Sequence, residues 1–94
     1  EVPREIDHFI YFKSEAQQRG FVDKVTEKGY KVRLSDEKTV EERKAEGHTY
    51  PYTVEATRED SPLDINNIVW ELIELARPFE GEYDGWGCVN VTDN

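Results

Sequence analysis

The chain has 94 residues and a formal net charge of −9, from 21 acidic and 12 basic side chains. Its length predicts a single domain over residues 1–94, and its aromatic content of 12% argues against a disordered chain. The acidity argues against direct binding to nucleic acid, because such affinity comes largely from Lys and Arg side chains that neutralise phosphates.

The N-terminal part of the chain predicts a strand followed by a helix. Residues 5–12 are rich in β-branched and aromatic types, which favours a strand. Ser14 with Gln17 three positions later forms a capping-box pattern. A helix is therefore predicted from about Glu15 to Lys28, and Gly29 is well placed to end it.

A second strand and a polar segment come next. Apolar and polar residues alternate from Tyr30 to Ser35, which predicts a half-buried strand. The segment from Asp36 to Gly47 is almost entirely polar. We interpret it as a solvated connection, in which Thr39 with Glu42 can cap a short helical turn.

A third strand and a long amphipathic helix are predicted after this segment. Residues 50–56 alternate in polarity, and Pro51 indicates an edge position or a strand start. Ser61 followed by Pro62 is typical of a helix start, because proline there loses only an amide that has no partner. Apolar residues then recur at three- and four-residue spacing on one face of a helix that ends near Pro78: Ile65, Ile68, Val69, Leu72, Leu75, Ala76 and Phe79.

The end of the chain completes a recognisable order of elements. Residues 82–87, EYDGWG, are interpreted as a turn that leads into a short final strand at 88–91. The predicted order is then β-α-β-β-α-β. Two-layer packing turns this order into an α+β fold of the ferredoxin-like type, with a four-stranded antiparallel sheet and two helices on one face.

Few residues have the types that catalysis or metal binding needs. Glu80, Glu82 and Asp84 lie close enough in sequence to form paired carboxylates for a small hydrolase, or a hard-cation site. They lack the alternating ligand pattern of a calcium loop, so we interpret them as a solvated acidic turn. The other candidates are interpreted as structural: His8, His48 and the single cysteine, Cys88. We therefore predict no catalysis, no metal site and no cofactor.

Aromatic residues on the first and third strands invite comparison with sheets that stack RNA bases on exposed rings. The rings in question are Phe9, Tyr11, Tyr50 and Tyr52. Such sheets need basic residues beside their rings and a Gly-rich aromatic signature on the third strand, and this sequence supplies neither. The charge decides against RNA binding through this sheet.

Two tryptophans are candidates for contact with a partner. On a helical wheel Trp70 lies roughly 140° from Ile65, away from the apolar stripe, and tryptophan is enriched at protein interfaces. The alternative is that Trp70 covers a sheet edge or packs under the 36–47 segment. Trp86, between two glycines, either seals the bottom of the core or belongs to a rigid acidic-aromatic surface.

The EYDGWG block at 82–87 resembles the C-terminal signature of the family called regulator of ribonuclease activity B. The run Ile6-Asp7-His8 followed by Phe12, the Gly29-Tyr30 pair and the apolar helix from Leu63 to Phe79 are similar to that family in order and spacing. The resemblance implies a non-catalytic, cytoplasmic bacterial protein with an α/β sandwich fold, which binds ribonuclease E and lowers its cleavage of RNA. It also implies contact with an arginine-rich scaffold portion of that enzyme.

The acidic residues are concentrated in the second half of the chain. Residues 1–47 hold 11 acidic and 10 basic side chains, whereas residues 48–94 hold 10 acidic and 2 basic. Because complementary charge steers association, we expect a protein partner with a basic surface, which the resemblance identifies as ribonuclease E. The predicted contact residues are Glu82, Asp84 and Trp86, joined by Trp70, Glu71 and Glu74.

Two alternative functions stay open. An acidic mimic of nucleic acid would block a DNA- or RNA-binding protein, and it requires carboxylates in phosphate-like rows. A small hydrolase requires a close, buried pair among the carboxylates at 80–84.

The expected location is the cytoplasm. A single cysteine excludes an internal disulfide framework. No apolar run approaches the roughly 20 residues that a membrane helix needs, and the N-terminus has no secretory pattern. We therefore expect a reducing compartment and no membrane partner.

Overall fold

A computed structural model describes residues 3–88 and contains a four-stranded antiparallel sheet with three helices. In chain order its main elements are β1 (Arg4–Phe12), α1 (Glu15–Glu27), β2 (Lys31–Leu34), α2 (Glu37–Ala45), β3 (Tyr52–Asp60), α3 (Ile65–Ala76) and β4 (Glu82–Cys88). Short 3-10 turns, Pro62–Asp64 and Arg77–Phe79, precede and follow α3. The strand order β2-β3-β1-β4 is ferredoxin-like and confirms the predicted α+β class.

Alternation along β1 defines the two faces of the sheet. Ile6, Ile10 and Phe12 are fully buried on one face, where Ile10 and Phe12 pack with residues of α1 and α3. The rings of Phe12 and Phe21 lie 5.1 Å apart, and burying a side chain of this size contributes roughly 1.5–3 kcal/mol. We call this side the helix face, and the side that α1 and α3 do not cover the open face.

The predicted ends of α1 are confirmed. The Ser14 hydroxyl accepts a hydrogen bond from the Gln17 amide at 3.2 Å, which satisfies one N–H of the first turn. At the other end Gly29 has a φ of +91°, a left-handed conformation that side chains rarely adopt. Phe21 and Val25 are buried against the sheet.

The polar segment after β2 contains a helix of 9 residues, α2, so the prediction of a solvated connection there was wrong. Asp36 caps this helix, since its Oδ1 accepts from the Thr39 amide at 2.8 Å. Of the residues in α2, Val40 is the one that is buried. The spacing of apolar residues did not predict α2, because this helix has no apolar stripe. Local capping and the burial of Val40 stabilise it instead.

In the second half, one of the two predicted roles of Pro51 holds, and both predicted ends of the long helix shift. Pro51 precedes β3, which lies in the centre of the sheet, so the proline marks a strand start and not an edge. The Ser61 hydroxyl accepts from the Leu63 amide at 3.3 Å, but it caps the 3-10 turn at Pro62–Asp64. The α-helix ends at Ala76, because Pro78 cannot donate the backbone hydrogen bond that its continuation needs.

The EYDGWG segment is a strand. Residues 82–87 belong to β4 and pair with β1, so their interpretation as a turn was wrong. The glycines are accommodated in extended backbone at the edge of the sheet. The predicted final strand at 88–91 falls largely on residues outside the described range, apart from Cys88 at the end of β4.

Candidate functional site

A β-bulge in β4 decides which way the predicted contact residues face. Phe9 is opposite Gly85, whereas the next residue of β1, Ile10, is opposite Tyr83. Asp84 is therefore an extra residue in the ladder, and the alternation of sides shifts by one position there.

The shift separates Trp86 from the carboxylates that precede it. Glu82 is opposite Tyr11 on the open face, and Trp86 is opposite His8 on the helix face. The predicted acidic-aromatic surface is therefore divided between the two faces of the sheet at its β4 edge. The carboxylates lie on the open face, and the indole lies on the helix face.

The side chain of Asp84 is held on the open face by Tyr11. The Tyr11 hydroxyl donates to Asp84 Oδ2 at 3.1 Å. Burial, and then this hydrogen bond, raise the pKa of Tyr11 above its usual value. The Arg43 guanidinium lies 5.3 Å from the centre of the Tyr11 ring, a cation–π distance. Sequence reasoning missed Tyr11 as a positioning residue, because its proximity to Asp84 depends on strand register.

Ion pairs divide the predicted carboxylates into two groups. Glu71 lies 3.4 Å from Lys28 of α1, and Glu74 lies 2.8 Å from Arg77. Among residues 3–88, no cation comes within ion-pair distance of Glu82 or Asp84; the ion pairs of this half of the chain use the carboxylates of Glu55, Asp60, Glu71, Glu74 and Glu80. The uncompensated charge among the predicted contacts therefore lies on β4.

Both tryptophans are exposed, one on α3 and one on β4. Trp70 is 62% exposed and Trp86 is 45% exposed. The Glu71–Lys28 pair marks the side of α3 that faces α1, and Ile73 lies on the opposite side, roughly 200° around the helix from Glu71. Since α3 also packs against β4, that opposite side is next to the strand. We call β4 together with this side of α3, including Trp70, the β4 flank.

The geometry gives little support to catalysis. Glu80, Glu82 and Asp84 are exposed, and Glu80 lies 3.9 Å from Lys13. Within residues 3–88, no group of three or more His, Cys, Asp and Glu side chains is arranged to hold a metal ion. The hydrolase alternative required a close, buried pair, and these carboxylates do not form one.

The aromatic rings of the first and third strands do not share one face. Phe9 and Tyr11 are on the open face, while Tyr52 is partly buried against the helix-face core. The Lys44 ammonium lies 5.2 Å from the centre of the Tyr52 ring, and the Lys13 ammonium lies 5.6 Å from that of Tyr50. A base-stacking platform needs its rings side by side, and this arrangement does not provide one.

His8 belongs to a buried polar cluster below the β4 flank. It is fully buried, with its Nδ1 2.8 Å from the Tyr83 hydroxyl. Burial lowers the pKa of His8 to about 4 and raises the pKa of Tyr83 to about 12. The ring is therefore neutral at pH 7, and its role is structural, as the sequence predicted.

Comparison with known proteins identifies a family for this chain. The profile described as Regulator of ribonuclease activity B matches residues 1–88. No curated protein matches the chain. Within the described part of the chain, no helix has the length and apolar character to cross a membrane.

Proposed function

This chain belongs to the family of regulators of ribonuclease activity B, and from that membership we propose that it is a non-catalytic regulator that binds and inhibits ribonuclease E. A basic segment of the enzyme docks on the β4 flank and is thereby withheld from the contacts it makes during RNA degradation. The proposal places the protein in the bacterial cytoplasm, where this enzyme acts.

One observation carries the assignment of the surface. Glu82 and Asp84 are exposed on β4 without a cation of the described chain beside them, and Tyr11 holds the carboxylate of Asp84 in place. A carboxylate that already has an internal cation gains less from an arginine of a partner. The β4 carboxylates are therefore the ones best suited to a basic partner.

The tryptophans supply the apolar part of the proposed interface. Trp86 exposes a large amphipathic ring on β4, and Trp70 exposes another on α3. Residues of this type dominate binding energy when a partner buries them, and arginine stacks on their rings. An arginine-rich segment fits both features.

Glu71 and Glu74 have a secondary place in this interface. Their present ion pairs with Lys28 and Arg77 would have to be shared or exchanged when a partner binds. Removal of either carboxylate should therefore weaken binding less than removal of Asp84.

The test compares two pairs of isosteric substitutions at equal net charge. Glu82→Gln with Asp84→Asn removes the β4 charges and leaves the shape unchanged. Glu27→Gln with Glu37→Gln removes two exposed charges elsewhere, on α1 and α2. We expect the first pair to weaken binding to ribonuclease E about tenfold or more at low salt and to restore RNA cleavage in its presence, because complementary charges at an interface are lost.

The control pair should bind within about twofold of the unmodified protein, since distant exposed charges are screened. Equal losses in the two variants would show that net charge alone matters and would contradict the assignment to β4. Absence of binding by the unmodified protein would contradict ribonuclease E as the partner.

A further inference from the structure

The two edges of the sheet differ in length and in charge. β2 forms one edge, has 4 residues, and exposes the basic side chains of Lys31 and Arg33. β4 forms the other edge, has 7 residues, and exposes Glu82 and Asp84. A short basic edge is a common protection against strand addition. β4 has no basic residue and is long enough to pair with another strand.

The stretch of β4 after the bulge is open to a neighbouring backbone. A Cβ atom built on Gly85 or on Gly87 meets no heavy atom within 4 Å. These two positions therefore leave the open face bare beside the strand, and side chains from an added strand have room there. Trp86, between them, faces the other side and is 45% exposed.

We propose that the β4 edge binds an extended basic peptide as a fifth strand, with basic side chains on the open face and apolar side chains on the helix face. The added strand pairs along Gly85–Cys88. Its basic residues reach Glu82 and Asp84, and its apolar residues cover Trp86. This inference rests on the proposed function and deepens it, because it says how a basic segment of the enzyme is held.

The two faces of β4 require a particular alternation of residues in the added strand. Successive residues of a strand point to opposite faces, and the bulge has put carboxylates on one face of β4 and the indole on the other. A matching strand therefore alternates basic and apolar residues. Charge also favours β4 over β2, because Glu82 and Asp84 have no cation of residues 3–88 beside them, whereas the edge of β2 carries Lys31 and Arg33 paired with Glu5 and Glu55.

The test uses two peptides of equal charge with the full chain. One has five Arg-Val repeats, and the other has five Arg-Pro repeats, whose prolines cannot donate backbone hydrogen bonds. We expect the Arg-Val peptide to bind at least about tenfold more tightly, because strand addition depends on main-chain hydrogen bonds. Hydrogen–deuterium exchange should slow within residues 82–88 and not within β2.

Three variants test the edge itself. Gly87→Lys places a charge and a long side chain on the bare open face, while Gly87→Ala keeps that face nearly bare, and the free space lets both fold. Thr26→Lys adds the same charge on exposed α1. We expect Gly87→Lys to weaken Arg-Val binding about tenfold or more, and the other two to stay within about threefold.

Several outcomes would overturn the inference. They are absence of Arg-Val binding, equal binding of the two peptides, protection at sites other than β4, and equal losses from Gly87→Lys and Thr26→Lys. Concentration-dependent self-association with protection of both β2 and β4 would also overturn it, since the occupant of the edge would then be a second copy of the chain.

Failure of the inference and failure of the proposed function can be told apart. If ribonuclease E binds but exchange in β4 is not slowed, the enzyme docks in another way and strand addition is wrong. If the Arg-Val peptide protects β4 but ribonuclease E does not bind, the edge accepts basic strands and the assignment of the enzyme is wrong.

Discussion

His8 is a titratable side chain placed where its charged form cannot be solvated. The ring is fully buried, and among residues 3–88 its Nε2 has no hydrogen-bond partner. Its Nδ1 lies 2.8 Å from the Tyr83 hydroxyl, which can donate to the neutral ring. Burial disfavours the charged ring more strongly than the nearby carboxylates of Asp60 and Asp7 favour it, and this explains the lowered pKa of about 4.

The low pKa of His8 makes the fold sensitive to acid. Between pH 6.5, the usual pKa, and about 4 the unfolded chain binds a proton that the folded chain does not. The stabilisation by neutral His8 is therefore fully present above pH 6.5 and is lost as the pH falls toward 4. The full loss approaches about 3 kcal/mol.

The measurement is urea unfolding at several pH values for the unmodified protein and for a His8→Leu/Tyr83→Phe variant. The double substitution removes the titrating ring together with its partner, while the carboxylates common to both proteins titrate equally. We expect the stability of the unmodified protein to fall more steeply between pH 6.5 and 4.5. Parallel curves would mean that His8 does not limit stability in acid.

At the scale of elements, Gly20 allows α1 to approach the turn after α3. A Cβ atom on Gly20 would overlap the ring of Phe79. Glycine inside a helix costs about 1 kcal/mol relative to alanine, so a glycine here is unfavourable for the isolated helix. The close packing of α1 against the Arg77–Phe79 turn accounts for it.

We predict that Gly20→Ala destabilises the protein despite the better helix propensity of alanine. Overpacking costs typically 1–3 kcal/mol, against a gain of about 1 kcal/mol in propensity, so a net loss of about 1 kcal/mol is expected. Thermal unfolding of Gly20→Ala, Phe79→Leu and the double variant measures the coupling. In the double variant the clash should be relieved, and a stabilised single variant Gly20→Ala would contradict the packing.

Elements with a local signature were predictable from the sequence, and elements that depend on tertiary contacts were not. α1 was predictable because Ser14, Gln17 and Gly29 act on the backbone within one or two turns of the helix ends. α2 has one buried residue, Val40, and its contacts with the rest of the fold include those of Arg43 with the Tyr50 carbonyl and of Lys44 with the Tyr52 ring. The extended conformation of EYDGWG comes from pairing with β1, which overrides the turn preference of its glycines.

At the scale of the whole molecule, ion pairs neutralise part of the negative charge that we expected to be available to a partner. Glu71 and Glu74 were predicted as contacts from the excess of acidic residues in the second half of the chain. The neutralisation of Glu71 by Lys28, from a distant part of the chain, depends on how the elements pack, whereas the pair of Glu74 with Arg77 is local, three residues apart. Composition therefore indicated the sign of the surface charge, and the fold determined which carboxylates have no cation beside them.

The location of this charge predicts a salt dependence for the proposed complex but not for the fold. We expect binding to ribonuclease E to weaken steadily as sodium chloride rises from about 50 mM to about 500 mM, because exposed interface charges are screened. Exposed ion pairs such as Arg19–Glu15 contribute only about 0–1 kcal/mol each. The melting temperature of the free protein should therefore change little.

Calorimetric titration at several salt concentrations measures the first effect, and circular dichroism melting of the free protein is its control. Binding that is equally tight across the range would contradict an interface built on Glu82 and Asp84. A parallel loss of folding and binding would place the salt effect on the fold.

The extra residue in β4 also has a genetic consequence. Glu82, Asp84 and Trp86 have the same parity in the sequence, yet the tryptophan is on the opposite side from the two carboxylates. An in-frame loss of the codon for Asp84 would remove the extra residue and restore strict alternation, with the indole still on the helix face, opposite in side to Glu82. The number of residues between Tyr83 and Trp86 therefore carries information that composition does not: two intervening residues need a bulge to keep the indole on the helix face, and one would not.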